Sequence, residues 1–364
     1  MQREMKKISQ GVEILHQRLA NQRLTRSSLR TPAGVVTWLG AVQSQDYAAA
    51  KWAVGLRGAG LTDAAIERAF DDGAILRTHV LRPTWHFVVP ADIRWMLSLT
   101  APRVNGLAAS AYRKLELDDR IFSRSRSALT GALGGAQLTR AELKAVLERA
   151  RIPCDSLRLG FLLMRAELDQ VICSGARRGR HATYALFDER VPSGTSISRE
   201  EALARLATRY FASHGPATLH DFAWWSGLTI RDARAGTAAV SGALDHEVIG
   251  DATYWHTPAR QPPPAGATSV HLLPNFDEYL VAYRDRRFVT TAPVRDALAN
   301  SLIVGGRCAG TWRRTLKGGS VAIDVLAHTS LPAAGRKAIA VAAERYGAFL
   351  NMRATACVEV ARRR

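Results

Sequence analysis

The chemistry in this chain starts with Gln43 and Gln45, two neutral carboxamides one residue apart in Val42-Gln43-Ser44-Gln45-Asp46-Tyr47. An amide cannot serve as a general base at neutral pH, but it can orient a water or hydrogen-bond the polar edge of a ligand. A second stretch, Leu76-Arg77-Thr78-His79-Val80-Leu81-Arg82-Pro83-Thr84-Trp85-His86-Phe87, adds two imidazoles, arginines and an indole. Gln-x-Gln by itself is a weak motif, and both amides also read as polar loop residues without chemistry.

These residues need particular backbones beneath them. Val35, Val36, Leu39 and Val42 form an apolar face that predicts a helix from Pro32 to about Val42. A second helix is predicted from Tyr47 through Leu56. Asp46 suits its N-cap, because the carboxylate can accept the free N–H groups of the first turn. Gln43 and Gln45 then fall at a junction of two helices. Residues two apart on one helix project roughly 200° from each other, whereas in an extended junction they point the same way. A shared site therefore requires a break at Ser44. The runs 75–81 and 84–89 read as strands of a ribbon joined across Arg82-Pro83.

Helices at 11–24, 32–42, 47–56 and 62–72, followed by that ribbon, have the order of a winged helix. Helices at 91–100 and 102–114 come next. The order recurs with helices at 123–133, 139–150 and 156–168 and strands at 170–174 and 182–187, which flank the basic tip Ala176-Arg177-Arg178-Gly179-Arg180-His181. A third round has helices at 198–213, 218–226 and 229–240 and strands at 244–249 and 252–256 around the turn Gly250-Asp251. Only the pattern of elements repeats, not the residues. Gln261-Pro262-Pro263-Pro264-Ala265-Gly266 reads as a stiff boundary. Beyond it, strands at 269–273, 279–283, 301–304, 307–313 and 319–326, a helix at 332–350 and a strand at 354–360 make a β-rich domain with one long helix. A basic tail, Arg362 to Arg364, closes the chain.

With 364 residues the chain has room for roughly two to four domains, and 47% apolar residues can fill their cores. No apolar run approaches the ~20 residues that cross a bilayer. Met1 to Gln10 lacks the apolar core of a signal peptide, so a bacterial-type cytoplasmic location is the default. Cys154, Cys173, Cys308 and Cys357 are scattered, without a Cys-x-x-Cys pair, which argues against a disulfide framework or a structural zinc. The net charge is +18 and the isoelectric point about 10.5, mostly from arginine. That balance fits a nucleic-acid-binding surface, and arginine suits bidentate phosphate contact. A compositional bias toward arginine and alanine is the alternative, although bias alone would not remove balancing acids. Gly-x-Gly-x-x-Gly, Walker, Gly-x-Ser-x-Gly and His-Glu-x-x-His motifs are all missing, which counts against nucleotide hydrolysis, dinucleotide redox and zinc hydrolysis.

The sequence resembles the winged-helix DNA glycosylases of the AlkZ-like and YcaQ-like superfamily, which act on alkylated bases and interstrand crosslinks. The resemblance spans nearly the whole chain. It is carried by Ala41 to Tyr47, Arg77 to His86, Ser174 to Gly179, Leu273-Pro274-Asn275-Phe276-Asp277-Glu278-Tyr279-Leu280 and Gly310-Thr311-Trp312-Arg313-Arg314, which are specific only together. It implies an α+β fold of three tandem winged-helix domains, 1–118, 119–195 and 196–260, with a C-terminal β-barrel-like domain, 268–364. It implies a monomer holding damaged or crosslinked duplex DNA in a basic cleft, without metal or cofactor, in the bacterial nucleoid. Gln43 and Gln45 match one branch of the family's catalytic motif, and the 77–87 ribbon matches its lesion-contacting hairpin. The implied reaction is hydrolysis of the N-glycosidic bond of N7-alkylated purines, in base-excision repair or in self-resistance to a toxin. An N7-alkylated purine is cationic and leaves without a strong acid, so a held water and acceptors around an oxocarbenium-like sugar suffice. A non-enzymatic winged-helix regulator or architectural factor is the other reading, as is a family member that binds without excising.

Individual residues carry parallel readings. Gln45 is assigned to the water and Gln43 to water or sugar. His79 and His86 could donate to the lesion or a phosphate, or be satisfied by backbone. Trp85 reads as core, opposite His86 by alternation, and otherwise as a stacking wedge. Arg82 is a groove contact or a solvated tip. Arg177, Arg178 and Arg180 read as phosphate contacts or a solvated turn. Arg284, Arg286 and Arg313 are counted with the DNA-binding arginines, Arg314 is read beside Arg313 as lining the cleft, and Arg284 or Arg286 is expected to pair with the structural acids Asp277 and Glu278.

Overall fold

The structure, a computed structural model, describes residues 2–194, 196–258, 269–290 and 299–361. The chain opens with α1 (Gln2–Asn21) and α2 (Pro32–Leu39), then β1 (Val42–Gln43), α3 (Tyr47–Leu56), α4 (Asp63–Asp71), β2 (Leu76–His79) and β3 (Trp85–Val88). Thr31, Asp46 and Thr62 cap α2, α3 and α4 through their side chains, each such cap being worth about 1 kcal/mol. The expected helix to Val42 stops at Leu39, since Gly40 (φ 82°) turns the chain and Val42 and Gln43 join the ribbon as a third strand. The sheet order is β1-β3-β2.

One helix, α5 (Pro90–Lys114), follows where two were expected; Pro102 lies inside it. Next come α6 (Asp119–Leu133), β4 (Leu138–Thr139), α7 (Arg140–Arg149), α8 (Ser156–Leu168), β5 (Ile172–Ser174) and β6 (Thr183–Leu186). Their sheet order, β4-β6-β5, repeats that of the first round. After the short α9 (Phe187–Arg190), a third round runs through α10 (Arg199–His214), α11 (Leu219–Ser226), α12 (Ile230–Ala239), β7 (Asp245–Ile249) and β8 (Ala252–His256). Its first strand has shrunk to one bridge, Ala217 to Trp255.

The C-terminal part holds β9 (Val270–Leu273), α13 (Glu278–Val281), β10 (Ser301–Val304), β11 (Arg307–Lys317), β12 (Ser320–Ala327), α14 (Ala333–Leu350) and β13 (Arg353–Val360). Segment 279–283, expected as a strand, begins instead as α13, because Asp277 caps it by accepting from Tyr279 N. The expected barrel is not formed: among the described residues the strands make an open sheet, β13-β12-β11-β10-β9, whose two ends do not pair. β12 and β13 are parallel, and α14 is the crossover such a pair needs. The proline-rich boundary 261–266 and the tail 362–364 lie outside the described residues. No described helix is long and apolar enough to cross a membrane.

The apolar cores cut across the three rounds. One cluster runs from Ala41 through α5–α12 to Tyr283. The other joins α1–α4 to the C-terminal sheet and α14. Trp52 anchors this second core: its ring packs edge-on against Tyr346 at 4.8 Å, and its N–H donates to Leu272 O at 2.8 Å. Beside it, Arg57 and Asp277, both with side chains fully shielded from solvent, form a bidentate pair at 2.7 and 2.8 Å. Gln22 Oε1 and Ala53 O take further guanidinium protons. Asp277 is thus structural as expected, but its partner is Arg57 rather than Arg284 or Arg286.

Candidate active site

Strand pairing decides which way the ribbon's side chains face. Gln43 lies opposite His86, and Thr78 opposite His86 on the other side; Arg77 faces Phe87, and His79 faces Trp85. Cross-strand partners share a face, so Gln43, His86 and Thr78 lie on one face and Arg77, His79 and Trp85 on the other.

The second face opens on a cavity of about 1240 Å³. Gln45, Arg77, His79, Pro83 and Trp85 make one wall. The others are α5 around Leu107, the start of α7, most of α8, and the segment Arg180 to Tyr184. Arg140, Lys144 and Arg180 add positive charge, His181 adds an imidazole, and among the described residues no Asp or Glu lines this cavity. A smaller cavity of about 230 Å³ adjoins it behind Trp85 and Arg77, with Tyr47, Phe70 and Glu167 in its lining.

Within this wall the side chains are tied together. The Arg77 guanidinium lies 4.3 Å from the Trp85 ring and donates to Ser44 O from Nε at 3.0 Å and Nη2 at 2.9 Å. Nη2 also reaches Gln45 O at 3.4 Å. Arg77 therefore clamps the backbone of the glutamine junction, a role the sequence reading did not assign it. Gln45 is exposed, and its Oε1 accepts from Trp85 N at 3.4 Å. His79 packs against Trp85 at a tilt of 43° with ring centres 4.6 Å apart, and its Nδ1 is bonded to the buried carboxylate of Glu167 on α8.

The Gln43 side of the sheet is more enclosed. The Gln43 amide oxygen accepts from Arg82 at 3.0 Å, and its backbone N–H donates to Glu278 Oε1 at 2.7 Å. Glu278 Oε2 accepts from Trp225 at 3.0 Å and lies 3.6 Å from His214 Nε2. Burial pushes the Glu278 carboxyl up, but His214 and the Gln43 N–H outweigh it and hold the group at about 2. His86 is fully buried, with Nδ1 against Thr84 O. Desolvation, then the Arg82 charge, push it from 6.5 down to about 3, so it is neutral at physiological pH. The helical pattern is broken at Ser44, which lies between β1 and α3, as a shared site requires. Yet the chain bends at Gln45, and the amides take different partners, Arg82 and Trp85 N. Only Gln45 lines the large cavity.

The ribbon tip is held from behind. Leu81 has φ 64°, a left-handed conformation uncommon outside glycine. Its carbonyl packs against Gly227 (φ 68°), where a Cβ would come within 2.2 Å of Leu81 O. This contact sets the tip, with Pro83 turned to the cavity and Arg82 to the Gln43 side.

The other expected residues divide. Trp85 is half-buried on the cavity wall rather than core: alternation put it across from His86 correctly, but His86 is the one that is fully buried. Arg180 is exposed and lines both cavities. Arg177 is engaged inside the protein: its Nε pairs with Glu67 at 3.3 Å, its guanidinium lies 4.8 Å from the Tyr47 ring, and its backbone N–H donates to Asp71. Exposed Arg178 pairs with Glu142 at 2.8 Å. Arg286 is buried and donates to Leu280 O. Arg284 is exposed beside His220, and Arg313 is exposed on β11; neither lines this cavity. Arg314 is bonded to the Tyr346 hydroxyl. The described residues contain no cluster of His, Cys, Asp or Glu able to hold a metal ion.

A family model described as DNA glycosylase AlkZ-like matches residues 36–349. An interstrand DNA cross-link repair glycosylase from Streptomyces sahachiroi is 26% identical over 316 residues, covering 81% of this chain and 85% of that protein. The solved structure of the Streptomyces sahachiroi DNA glycosylase AlkZ superimposes with a TM-score of 0.78 at 23% identity, over 96% of this chain and 99% of that one.

Proposed function

The chain belongs to the DNA glycosylase AlkZ-like family, and from that premise we propose that it hydrolyses the N-glycosidic bond of N7-alkylated purines in duplex DNA, interstrand crosslinks included. The observation that carries this reading is a largely apolar cavity with Gln45, Trp85 and His79 in one wall, whose charged lining among the described residues is cationic, Arg77, Arg140, Lys144 and Arg180, without a carboxylate. Such a surface attracts the phosphate backbone and repels no part of it. Gln45 holds the attacking water with its amide, and the Arg77 clamp fixes where that amide stands. Gln43, anchored by Arg82 and Glu278 on the opposite face, acts as a positioning residue that sets the junction from behind. Trp85 offers its ring to the damaged base, and Arg180, Arg140 and Lys144 meet phosphates, with Arg284 and Arg313 on the outer path of the duplex.

The recurring helix–strand–helix–helix–ribbon order supports a reading as three winged-helix units, divided near 118 and 195; we take the protein to act as a monomer. A crosslinked base cannot swing free of both strands, so a wide cavity suits it better than a closed base-flipping pocket. The test is incubation of the purified protein with duplexes carrying 7-methylguanine or a nitrogen-mustard crosslink, scored for free base and abasic sites. Release above the spontaneous rate is expected. Tight binding without release would instead assign the chain to DNA binding alone.

A further inference from the structure

Glycosidic hydrolysis at a cationic purine releases a proton that neither glutamine can accept. The attacking water forms the C1′–O bond while the C1′–N9 bond breaks. The bonding pair moves to N9 and quenches the ring's positive charge, and the water must lose a proton. Carboxamides do not take protons near neutrality. The described residues lining the large cavity include no carboxylate, and guanidinium and ammonium groups are hydrogen-bond donors without an acceptor site. That leaves the imidazoles of His79 and His181. His181 is exposed on a loop tip, whereas His79 is held in place by Glu167 and by Trp85.

On this basis, and resting on the glycosylase reading, we propose that His79 and Glu167 form a catalytic dyad in which His79 is the general base for the water held by Gln45. The Glu167 carboxylate accepts a hydrogen bond from the Nδ1–H of His79. This fixes the tautomer that presents the Nε2 lone pair as the remaining ring nitrogen. The proton leaves the water for Nε2, and Glu167 stabilises the imidazolium before it discharges to solvent. His79 is then the catalytic residue and Glu167 a positioning residue. Glu167 belongs to α8 and His79 to β2, so the dyad exists only when these elements are docked. Arg77 on the same strand, His86 behind the ribbon, Tyr184, Arg180 and His181 on the wing, Tyr47 and Arg177 at the smaller cavity, and Arg140 and Lys144 across the large one are the other charged or titratable groups around it.

The experiment is single-turnover release of 7-methylguanine from duplex DNA between pH 5 and 9, for the full-length wild type and variants, with duplex affinity measured in parallel. The wild-type rate is expected to rise with pH with unit slope and level off. His79→Asn should lower the plateau about 100-fold, as loss of a general base does, and remove the acid limb. His79→Ala should regain rate when imidazole is added to the buffer. Glu167→Gln, nearly isosteric, should lower the rate and move the acid limb to lower pH, because the imidazolium loses its counter-charge. Wild-type rate and acid limb retained in His79→Asn, or a Glu167→Gln profile lowered without moving, would overturn the dyad alone. No release by the wild type would overturn the glycosylase reading itself.

Discussion

Arg77 joins the glutamine junction to the aromatic wall, and its replacement separates positioning from charge. Its two hydrogen bonds to Ser44 O, at 3.0 and 2.9 Å, are charge-assisted, and such bonds contribute about 1.5–3 kcal/mol each. Its stacking on Trp85 at 4.3 Å adds about 0.5–2 kcal/mol. Ser44 is fully buried, so removing the guanidinium leaves its carbonyl without that donor. Arg77→Met keeps the aliphatic stem and removes the clamp. If about 2–4 kcal/mol of this is expressed in the transition state, base release slows by roughly 30- to 1000-fold. Arg77→Lys keeps the charge but not the planar fork. Its duplex affinity and salt dependence should match the wild type while release still falls at least about tenfold. The assay is single-turnover release with saturating enzyme, beside binding isotherms at several salt concentrations. An Arg77→Lys variant that releases base at the wild-type rate would refute the clamp as a positioning device.

Gln45→Ala is expected to abolish 7-methylguanine release and leave duplex affinity within a few fold; a loss of binding would make Gln45 a DNA contact instead. Replacing Arg180 and Lys144 together by alanine should flatten the salt dependence of binding by roughly two units of slope, since each faces the cavity, whereas Arg177→Ala should mainly loosen the fold around Glu67 and Tyr47. Asp277→Ala strands the buried Arg57 charge and should cost about 3–5 kcal/mol in urea unfolding. Stability should also fall with acid in two stages. His86 and His271, both held near 3 rather than 6.5, bind protons only on unfolding, so stability is full above about pH 6.5 and declines as pH drops through 3. Glu278, at about 2 rather than 4.5, adds a second loss below 4.5. Each proton contributes about 1.4 kcal/mol per pH unit in its window. Unfolding midpoints that stay flat from pH 7 to pH 4 would contradict this.

Much of the element order was legible because its signals are local. Asp46 and Asp155 cap helices whose expected starts, at Tyr47 and Ser156, agree with the structure, and Gly250-Asp251 turns the third ribbon. What failed depended on partners distant in sequence. Alternation gave Trp85 and His86 opposite faces, but only the packing of Glu278, Arg82 and Trp225 decides which face is inside. Arg177 read as a phosphate contact because Glu67 and Tyr47, which engage it, lie on elements far earlier in the chain. Glu167 gave no signal at all, as one acid near the end of an amphipathic helix. The residues themselves gave only a β-rich domain with one long helix; the barrel came from the family resemblance, and the strands form an open sheet instead.

The docking of the first ribbon onto the second round has a consequence for dissection of the chain. Glu167 reaches out of α8 to His79, Arg77 N donates to Ser174 Oγ at 2.8 Å, and Asp71 and Glu67 reach back to Arg177. Cutting the protein between these rounds would therefore leave two fragments, each with half of every one of these bonds and neither with a cavity. Activity from such a split should return only on mixing, with a rate that depends on the concentration of both pieces.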